Sequence, residues 1–481
     1  MRRIFLTGAT GIMGMAGLHE LMQTRYPDGA PQITVLARDT KTNRSKLASF
    51  ISRGVEVIWG DLTNPSDVER GVKDADVVLH VGGMVSPQAD WYPELTYKVN
   101  VGSMRNIISA ALRRQSAGHA VRVVYIGSVS QYGNRPEGVH WGRTGDPISI
   151  AAFDNYALSK SDAERMLAES GLKEWVSLRQ TGILYPRILL KGSDPISFHV
   201  PVRGCLEWVT NEDSGRLLAA VSSPDGPSDF WCRFYNIGGG ESYRLTNYDF
   251  VQLTLQSVGC PPASKVFGRN WFATRNFHGM WFEDSDLLDS ILRFRSGEKL
   301  PEFMDRIKRG LPWYFRLAPL APAWIIRKAM KRVANNRVLG PLRWIAEDNK
   351  DRVFAAFGTE EDYRSIPTWE DDAEWSLSSE PSRLDHGYDE NKPESELTLA
   401  DMQEAARYRG GRCLADDMKT GDIDTPLGWE CSEGHRFTLR PRTVLKGGHW
   451  CPECLAAISR DPHELYRLGK RNPFLGQITG K

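Results

Sequence analysis

The chain has 481 residues, with 61 Lys and Arg against 60 Asp and Glu, for a formal charge of +1. That balance excludes a partner chosen by global charge, and the length leaves room for several domains and a large buried core. Seven cysteines are too few for a disulfide scaffold at this size; four of them fall after residue 410, which points to metal binding instead.

Locally the charge is uneven. Residues 303–352 carry 12 Lys and Arg against 4 Asp and Glu, and residues 359–404 carry 3 against 15. No secretory leader precedes the first strand, and no apolar run approaches the ~18–20 residues of a membrane span. The expectation is a soluble cytoplasmic protein with no transmembrane segment.

In chain order, Arg2-Arg3-Ile4-Phe5-Leu6 reads as a strand that ends in Thr7-Gly8-Ala9-Thr10-Gly11-Ile12-Met13-Gly14, with a helical pattern following to Met22. Glycines three apart allow a tight turn and close approach to a pyrophosphate, and the helix start offers free N–H groups to it. A second strand, Gln32 to Ala37, closes on Arg38-Asp39. An acid there would take the ribose hydroxyls of NAD, and an arginine the 2′-phosphate of NADP. Ala37 occupies the acid's position with Arg38 next, which favours NADP, while Asp39 keeps NAD open.

Val55 to Trp59 is a third strand running into Gly60-Asp61-Leu62, and Asp76 to Gly83 a fourth, nearly continuous in apolar residues as a strand covered on both faces should be. Val99-Asn100-Val101-Gly102-Ser103 opens a helix ending near Arg114, and Val121 to Ile126 delivers Gly127-Ser128. This alternation predicts a doubly wound parallel sheet.

Asn155-Tyr156-Ala157-Leu158-Ser159-Lys160 then begins a helix. Tyr156 and Lys160, four apart, share one face, and a nearby ammonium is expected to lower the tyrosine's pKa from roughly 10. Ser128 could orient a substrate oxygen beside the tyrosine.

On these residues, the first 245 or so resemble an extended short-chain dehydrogenase/reductase of the NAD(P)-dependent epimerase/dehydratase superfamily. The resemblance implies that Gly8, Thr10, Gly11, Ile12, Met13 and Gly14 hold the cofactor's phosphates, with Arg38, Asp61, Leu62, His80, Val81, Gly82 and Asn100 also around the cofactor. It implies Ser128, Tyr156 and Lys160 as the catalytic trio, tyrosine as acid/base and lysine also on the nicotinamide ribose. Leu178 to Pro186 and Tyr235 to Glu241 match segments that follow the trio. The chain departs from the family at His80-Val81-Gly82-Gly83, where His-x-Ala-Ala is common. It departs again at His140 to Pro147, which lacks the longer acidic and Pro-rich segment of many nucleotide-sugar members.

Beyond Pro186 a smaller substrate lobe is expected. Its aromatic residues, Trp271-Phe272 and Phe277 to Phe282, fit a pocket for a flat or apolar, sterol- or flavonoid-like molecule, and equally the core of a small domain. His199 and His278 read as packed or exposed rather than catalytic. Residues 323–333 form an amphipathic basic helix, either lying on a membrane surface or docked with a solvated basic face; docking is the preferred reading. Residues 376–398 read as a polar linker.

Past the linker, Cys431-x3-His435 and Cys451-x2-Cys454 supply the Cys3His set of a closed, structural zinc site, with Cys413 a nearby core residue. Residues 399–459 resemble a treble-clef or zinc-ribbon-like module, beginning at Gly410-Gly411-Arg412-Cys413-Leu414. Its Arg436, Arg440, Arg442 and Lys446 leave a nucleic acid or a protein open as partner, and a homodimer is compatible with the rest.

The reading is therefore an α/β protein: a dinucleotide-binding domain with substrate lobe (1–300), a helical basic/acidic extension (301–375), a linker (376–398) and a zinc-binding domain (399–481). The expected activity is carbonyl–alcohol oxidoreduction of a small molecule with NADP or NAD. The alternatives are a nucleotide-sugar epimerase or dehydratase and a cofactor-sensing regulator acting through its finger.

Overall fold

The structure, a computed structural model, describes residues 2–86, 88–190, 194–223, 227–371 and 376–479. The end of the expected helical extension, 372–375, lies outside them. Seven parallel strands form the main sheet: β1 (Arg3–Thr7), β2 (Gln32–Ala37), β3 (Glu56–Trp59), β4 (Val77–His80), β5 (Arg122–Ser128), β6 (Trp175–Gln180) and β7 (Arg233–Ile237). Their spatial order is β7-β6-β5-β4-β1-β2-β3. The order reverses between β1 and β4, and such a switch point opens a crevice at the carboxyl ends of the strands. Two apolar cores flank the sheet. One contains Leu6, Val35, Leu79 and Leu178; the other contains Phe5, Val78, Val123 and Tyr125.

Three helices position the site. α1 (Ile12–Gln23) starts directly from the glycine turn with no side-chain cap, so its first N–H groups face the crevice. α2 (Pro93–Ser116) begins six residues before the expected Val99, because Pro93 takes the first turn, where its missing N–H costs nothing. α3 (Asn155–Ala168) is capped by Asp154, which accepts from Ala157 N–H at 2.8 Å.

Residues 376–398 are not a solvated spacer. His140 Nε2 and Trp141 Nε1 lie 2.9 and 3.1 Å from the Ser378 carbonyl, the latter as its donor, and Arg143 donates to both oxygens of Glu390 at 2.6 and 2.8 Å. The buried His386 meets the buried Asp146 at 2.8 Å. The polar composition that suggested a linker is spent on fixed partners in the N-terminal part.

The C-terminal residues form a three-stranded antiparallel sheet (Arg412–Cys413, Leu427–Glu430, Arg436–Leu439) and short helices. They share a core with the N-terminal domain: Ile148, Ile150 and Ala157 belong to one apolar cluster with Cys451, Leu455 and Ile458. The contact is close enough to need a glycine. Gly448, at φ +73°, lies where a Cβ would come 1.9 Å from the Asp146 carbonyl oxygen.

At the centre of this junction is an ion pair with no solvent exposure, Arg179 on β6 with Glu164 on α3. Arg179 donates to Glu164 through Nε at 3.0 Å and Nη2 at 2.7 Å, and also to the Gly447 carbonyl at 2.6 Å. Gln131, Ser177 and His449 complete the carboxylate's shell. Burial pushes Glu164 upward, but Arg179 and His449 outweigh it and hold the carboxyl well below the usual range. Separating the C-terminal residues from the sheet would leave this buried pair without two of its neighbours, Gly447 and His449, which argues against two independently unfolding parts.

A single cooperative unfolding transition is expected for the whole chain. His449→Ala should lower its stability by about 1–3 kcal/mol, measured by chemical denaturation. An early transition confined to residues after 398, with the sheet unaffected, would show the two parts to be independent.

Candidate functional site

The carboxyl ends of the strands open into a cleft of about 1040 Å³. The turn after β1 forms its floor. Gly8 has φ +73°, and a Cβ there would lie 2.7 Å from the Gly82 backbone; one on Gly14 would lie 2.1 Å from the Gly8 carbonyl oxygen. Both positions therefore require glycine on steric grounds, and the chain leaves bare backbone where a phosphate could approach.

Gly8, Thr10, Gly11, Ile12, Met13, Gly14, Arg38, Asp61, Leu62, Val81, Gly82, Ser128, Tyr156 and Lys160 all line the cleft. Of the residues expected around a cofactor, two do not. His80 is buried beneath, between Thr7 Oγ1 at 2.9 Å and Ser103 Oγ at 3.1 Å. Burial, aided by the charge of Lys160, lowers its pKa to about 3, so it is a neutral brace between β4 and α2. Asn100 is buried as well; it accepts from Met84 N–H and donates to Ser159 Oγ at 2.9 Å, tying α2 to α3.

At the far end of β2, Asp39 is clamped by Arg44 at 2.6 and 2.8 Å. Arg38 beside it is exposed, and among the described residues its side chain has no ion pair. Asp61 accepts from the N–H and hydroxyl of Thr63, both at 2.8 Å, which folds the turn after β3 against the cleft.

The trio meets at the cleft's inner end. Ser128 closes β5 and is held by Ser130, whose N–H and hydroxyl lie 3.2 and 2.9 Å from its oxygen. Tyr156 and Lys160 project from successive turns of α3. Burial raises the Tyr156 pKa to about 12, against the hydrogen bond from Ser128. Burial lowers that of Lys160 to about 7, against the carboxylate of Glu164 one turn on. The expected lowering of the tyrosine by the lysine is therefore reversed. Lys160 is buried and Tyr156 partly so, desolvation penalises charge on each, and Lys160 donates to the Ile126 carbonyl.

Tyr156 also lines a second, smaller cavity of about 260 Å³, with Asp90, His199, Phe277, His278, Trp344 and Arg352 among its walls. The two histidines thus border the site, though His199 is fixed by the Leu339 carbonyl at 2.7 Å and half-buried, and desolvation lowers its pKa to about 4 and keeps it neutral. Of the aromatic cluster, Trp271 and Phe272 fill a core, while Phe277 faces the pocket. Asp90 and Arg352 carry no motif that sequence reasoning could have used. Burial and Asp154 raise Asp90 to about 6, with Arg352 and His278 opposing. Arg352 lies 4.3 Å over the Phe153 ring and makes no ion pair among the described residues. Two non-glycine residues in the left-handed region, Phe153 (φ 67°) and Asn276 (φ 63°), border this pocket too.

In the C-terminal module, the Sγ atoms of Cys431, Cys451 and Cys454 lie 3.5, 3.4 and 3.5 Å from His435 Nδ1, and Cys431 lies 3.8 Å from Cys454. A tetrahedron with metal–sulfur bonds of about 2.3 Å and a metal–nitrogen bond of about 2.0 Å has edges of roughly 3.5–3.8 Å, so the donor set fits zinc. Cys413 is outside the cluster, paired through β-structure with Trp429. The module's basic residues are already engaged: Arg436 with Glu430, Arg440 with Glu169, Arg442 with Asp424, and Lys446 with Glu394.

Residues 4–179 match the model of the NAD dependent epimerase/dehydratase family. The chain is 25% identical over 179 residues to the D-erythronate dehydrogenase of Cupriavidus necator, covering 37% of this chain and 52% of that protein. It is 24% identical over 117 residues to the UDP-glucose 4-epimerase of Rickettsia canadensis, covering 24% and 34%. The chain thus spans about half the length of the first of these curated relatives and a third of the second. In fold it is similar to a dTDP-glucose 4,6-dehydratase of Streptomyces venezuelae solved with NAD, with a TM-score of 0.51 and 22% identity over 65% of this chain and 97% of that one. No helix among the described residues is long and apolar enough to cross a membrane. The likeness to the NAD dependent epimerase/dehydratase family thus covers residues 4–179, the part of the chain that holds most of the cleft.

Proposed function

We propose that the protein is an NAD(P)-dependent oxidoreductase interconverting a carbonyl and an alcohol on a small organic substrate, with Ser128, Tyr156 and Lys160 as its catalytic residues. The observation that carries this reading is that Tyr156 lines both the glycine-floored cleft and the smaller pocket. A nicotinamide dinucleotide in the cleft would supply or accept the hydride. In the reductive direction Tyr156, neutral at pH 7, gives its proton to the substrate oxygen. Ser128 donates a hydrogen bond to that oxygen, and Lys160 supplies positive charge beside the phenolate that forms.

The pocket's mixed walls, aromatic at Phe277 and Trp344 and charged at Asp90 and Arg352, suit a compact substrate with a flat or apolar body and a polar end. NADP is the favoured cofactor: Arg38 is available to a 2′-phosphate, whereas Arg44 already occupies Asp39. A second reading, transient oxidation within an epimerase or dehydratase cycle, is favoured by the names of the relatives and uses the same trio. A lasting change in nicotinamide absorbance with substrate separates the two. The Cys431, His435, Cys451 and Cys454 cluster is proposed to hold a structural zinc, since four protein ligands leave no position for a reacting water. We retain the division at 300, 375 and 398, with the last two segments docked.

Tyr156→Phe keeps the ring and removes the proton, so dinucleotide binding should persist while kcat falls about a hundredfold or more; turnover near wild type would refute the assignment. NADPH should bind more tightly than NADH in titration calorimetry, and Arg38→Ala should erase most of the difference, whereas a wild-type preference for NADH would count against the 2′-phosphate contact. Metal analysis should return a single zinc per chain, lost in Cys451→Ser together with thermal stability of the whole protein.

A further inference from the structure

Helix α4 (Ala323–Ala334) and the turn before it, Trp313–Leu320, present an apolar face that none of the described residues covers. Trp313 is 71% exposed, Leu320 76% and Trp324 66%, and Tyr314, Leu317 and Ile325 are exposed beside them. Soluble proteins rarely leave so many large apolar side chains together in water. The segment is not loose. Ile326, Met330 and Val333 pack into the core around Phe198, Phe267 and Trp271, and Arg327 donates to the Phe267 carbonyl at 2.7 Å. Pro319 sits against Gly259, where a Cβ would come within 2.6 Å of its ring. The inner face of the element is therefore docked, and its outer face projects these side chains from a fixed base.

The charge around the face has one sign. Between Asp305 and Glu347 the sequence holds ten Lys and Arg and no Asp or Glu. Lys328, Lys331 and Arg332 extend the outward face of α4 from the exposed Trp324, and among the described residues they form no ion pair. This is unlike Arg436, Arg440, Arg442 and Lys446 of the C-terminal module, each of which has an acidic partner.

We propose that this face seats the protein on an anionic lipid surface, with the indole and phenol rings in the headgroup layer and the lysines and arginine against the phosphates. Tryptophan and tyrosine favour that layer because each ring has an apolar body and a polar edge. A helix of this kind lies in the interface plane and needs no spanning length. A second copy of the chain would bring the same cations face to face, which opposes self-association through this patch. Of the two sequence readings for residues 323–333, the exposed tryptophans favour the membrane surface, and the docked inner face accommodates both at once.

The test is co-sedimentation of the full chain with vesicles of phosphatidylcholine alone and of phosphatidylcholine mixed with phosphatidylserine. The wild type should partition onto the mixed vesicles and lose binding as salt rises. Trp313→Glu with Trp324→Glu should abolish binding to both, and Lys328→Glu with Lys331→Glu and Arg332→Glu should weaken binding to the anionic vesicles about a hundredfold or more. All these side chains are on the surface, so circular dichroism and dinucleotide binding should be unchanged. Three outcomes overturn the proposal: a wild type that stays in the supernatant with both vesicle types, vesicle binding unaffected by the tryptophan changes, or a wild-type dimer that those changes convert to a monomer without any vesicle binding.

Discussion

The buried pair of Glu164 and Arg179 is the interaction on which the remaining structure depends. It joins helix α3, strand β6 and the C-terminal loop at Gly447 and His449, and neither side chain touches solvent. Two charges removed from water hold together only if their remaining lone pairs and protons are satisfied. Here Gln131, Ser177, Tyr132 and His449 satisfy them. The carboxylate's field is consequently spent on Arg179, and Lys160, one turn away, gains less from it than burial removes. That is why an ammonium on the same helix as a glutamate is easier, not harder, to deprotonate than in water.

The cleft proposed for the cofactor and the pocket proposed for the substrate have different origins in the chain. Most of the cleft is built within the segment matching the family, from the Gly8–Gly14 turn to Lys160, with residues 180–183 and His278 added from beyond it. The pocket draws His199, Phe277, His278, Trp344 and Arg352 from beyond residue 179. A likeness confined to the first part carries the fold of the dinucleotide site and the position of the trio. It carries no information about the groups that would recognise a substrate, most of which come from the chain's later elements.

What the sequence made legible was local. The glycine turn, the buried parallel strands and the Tyr-Lys spacing are each set by neighbours within a few residues, and each lies where it was expected. The Cys-His cluster was legible because ligand chemistry restricts residue type as tightly as spacing. What was not legible depends on contacts across hundreds of positions. His449 reaches Glu164 over 285 residues and His140 reaches Ser378 over 238, and no periodicity records either. The supposed linker misled for the same reason: a run of Ser, Pro, Glu and Asp looks solvated until Arg143, Asp146 and Glu283 are known to face it. His80 and Asn100 stand in between, since their segments were recognisable but their side chains turn away from the cleft to brace it.

The placement of the Cys-His cluster gives the C-terminal module a mechanical sense. Two of its grips on α3 flank one short helix, Pro452–Ile458, whose N-cap is Cys451. Before it, His449 meets Glu164 on the third turn of α3; after it, the Ser459 carbonyl accepts from Phe153 N–H at 2.8 Å, just ahead of the Asp154 cap. Phe153 is one of the residues held in the left-handed region, at a cost of order 1–3 kcal/mol that only an imposed contact sustains. Its ring carries Arg352 in the pocket. With zinc in the cluster, as proposed, Cys451 and Cys454 would fix the short helix, and the helix would fix both the start and the middle of α3. The tyrosine and lysine lie between those two points. The module would then act on the site through geometry alone, with no atom of its own in the cleft.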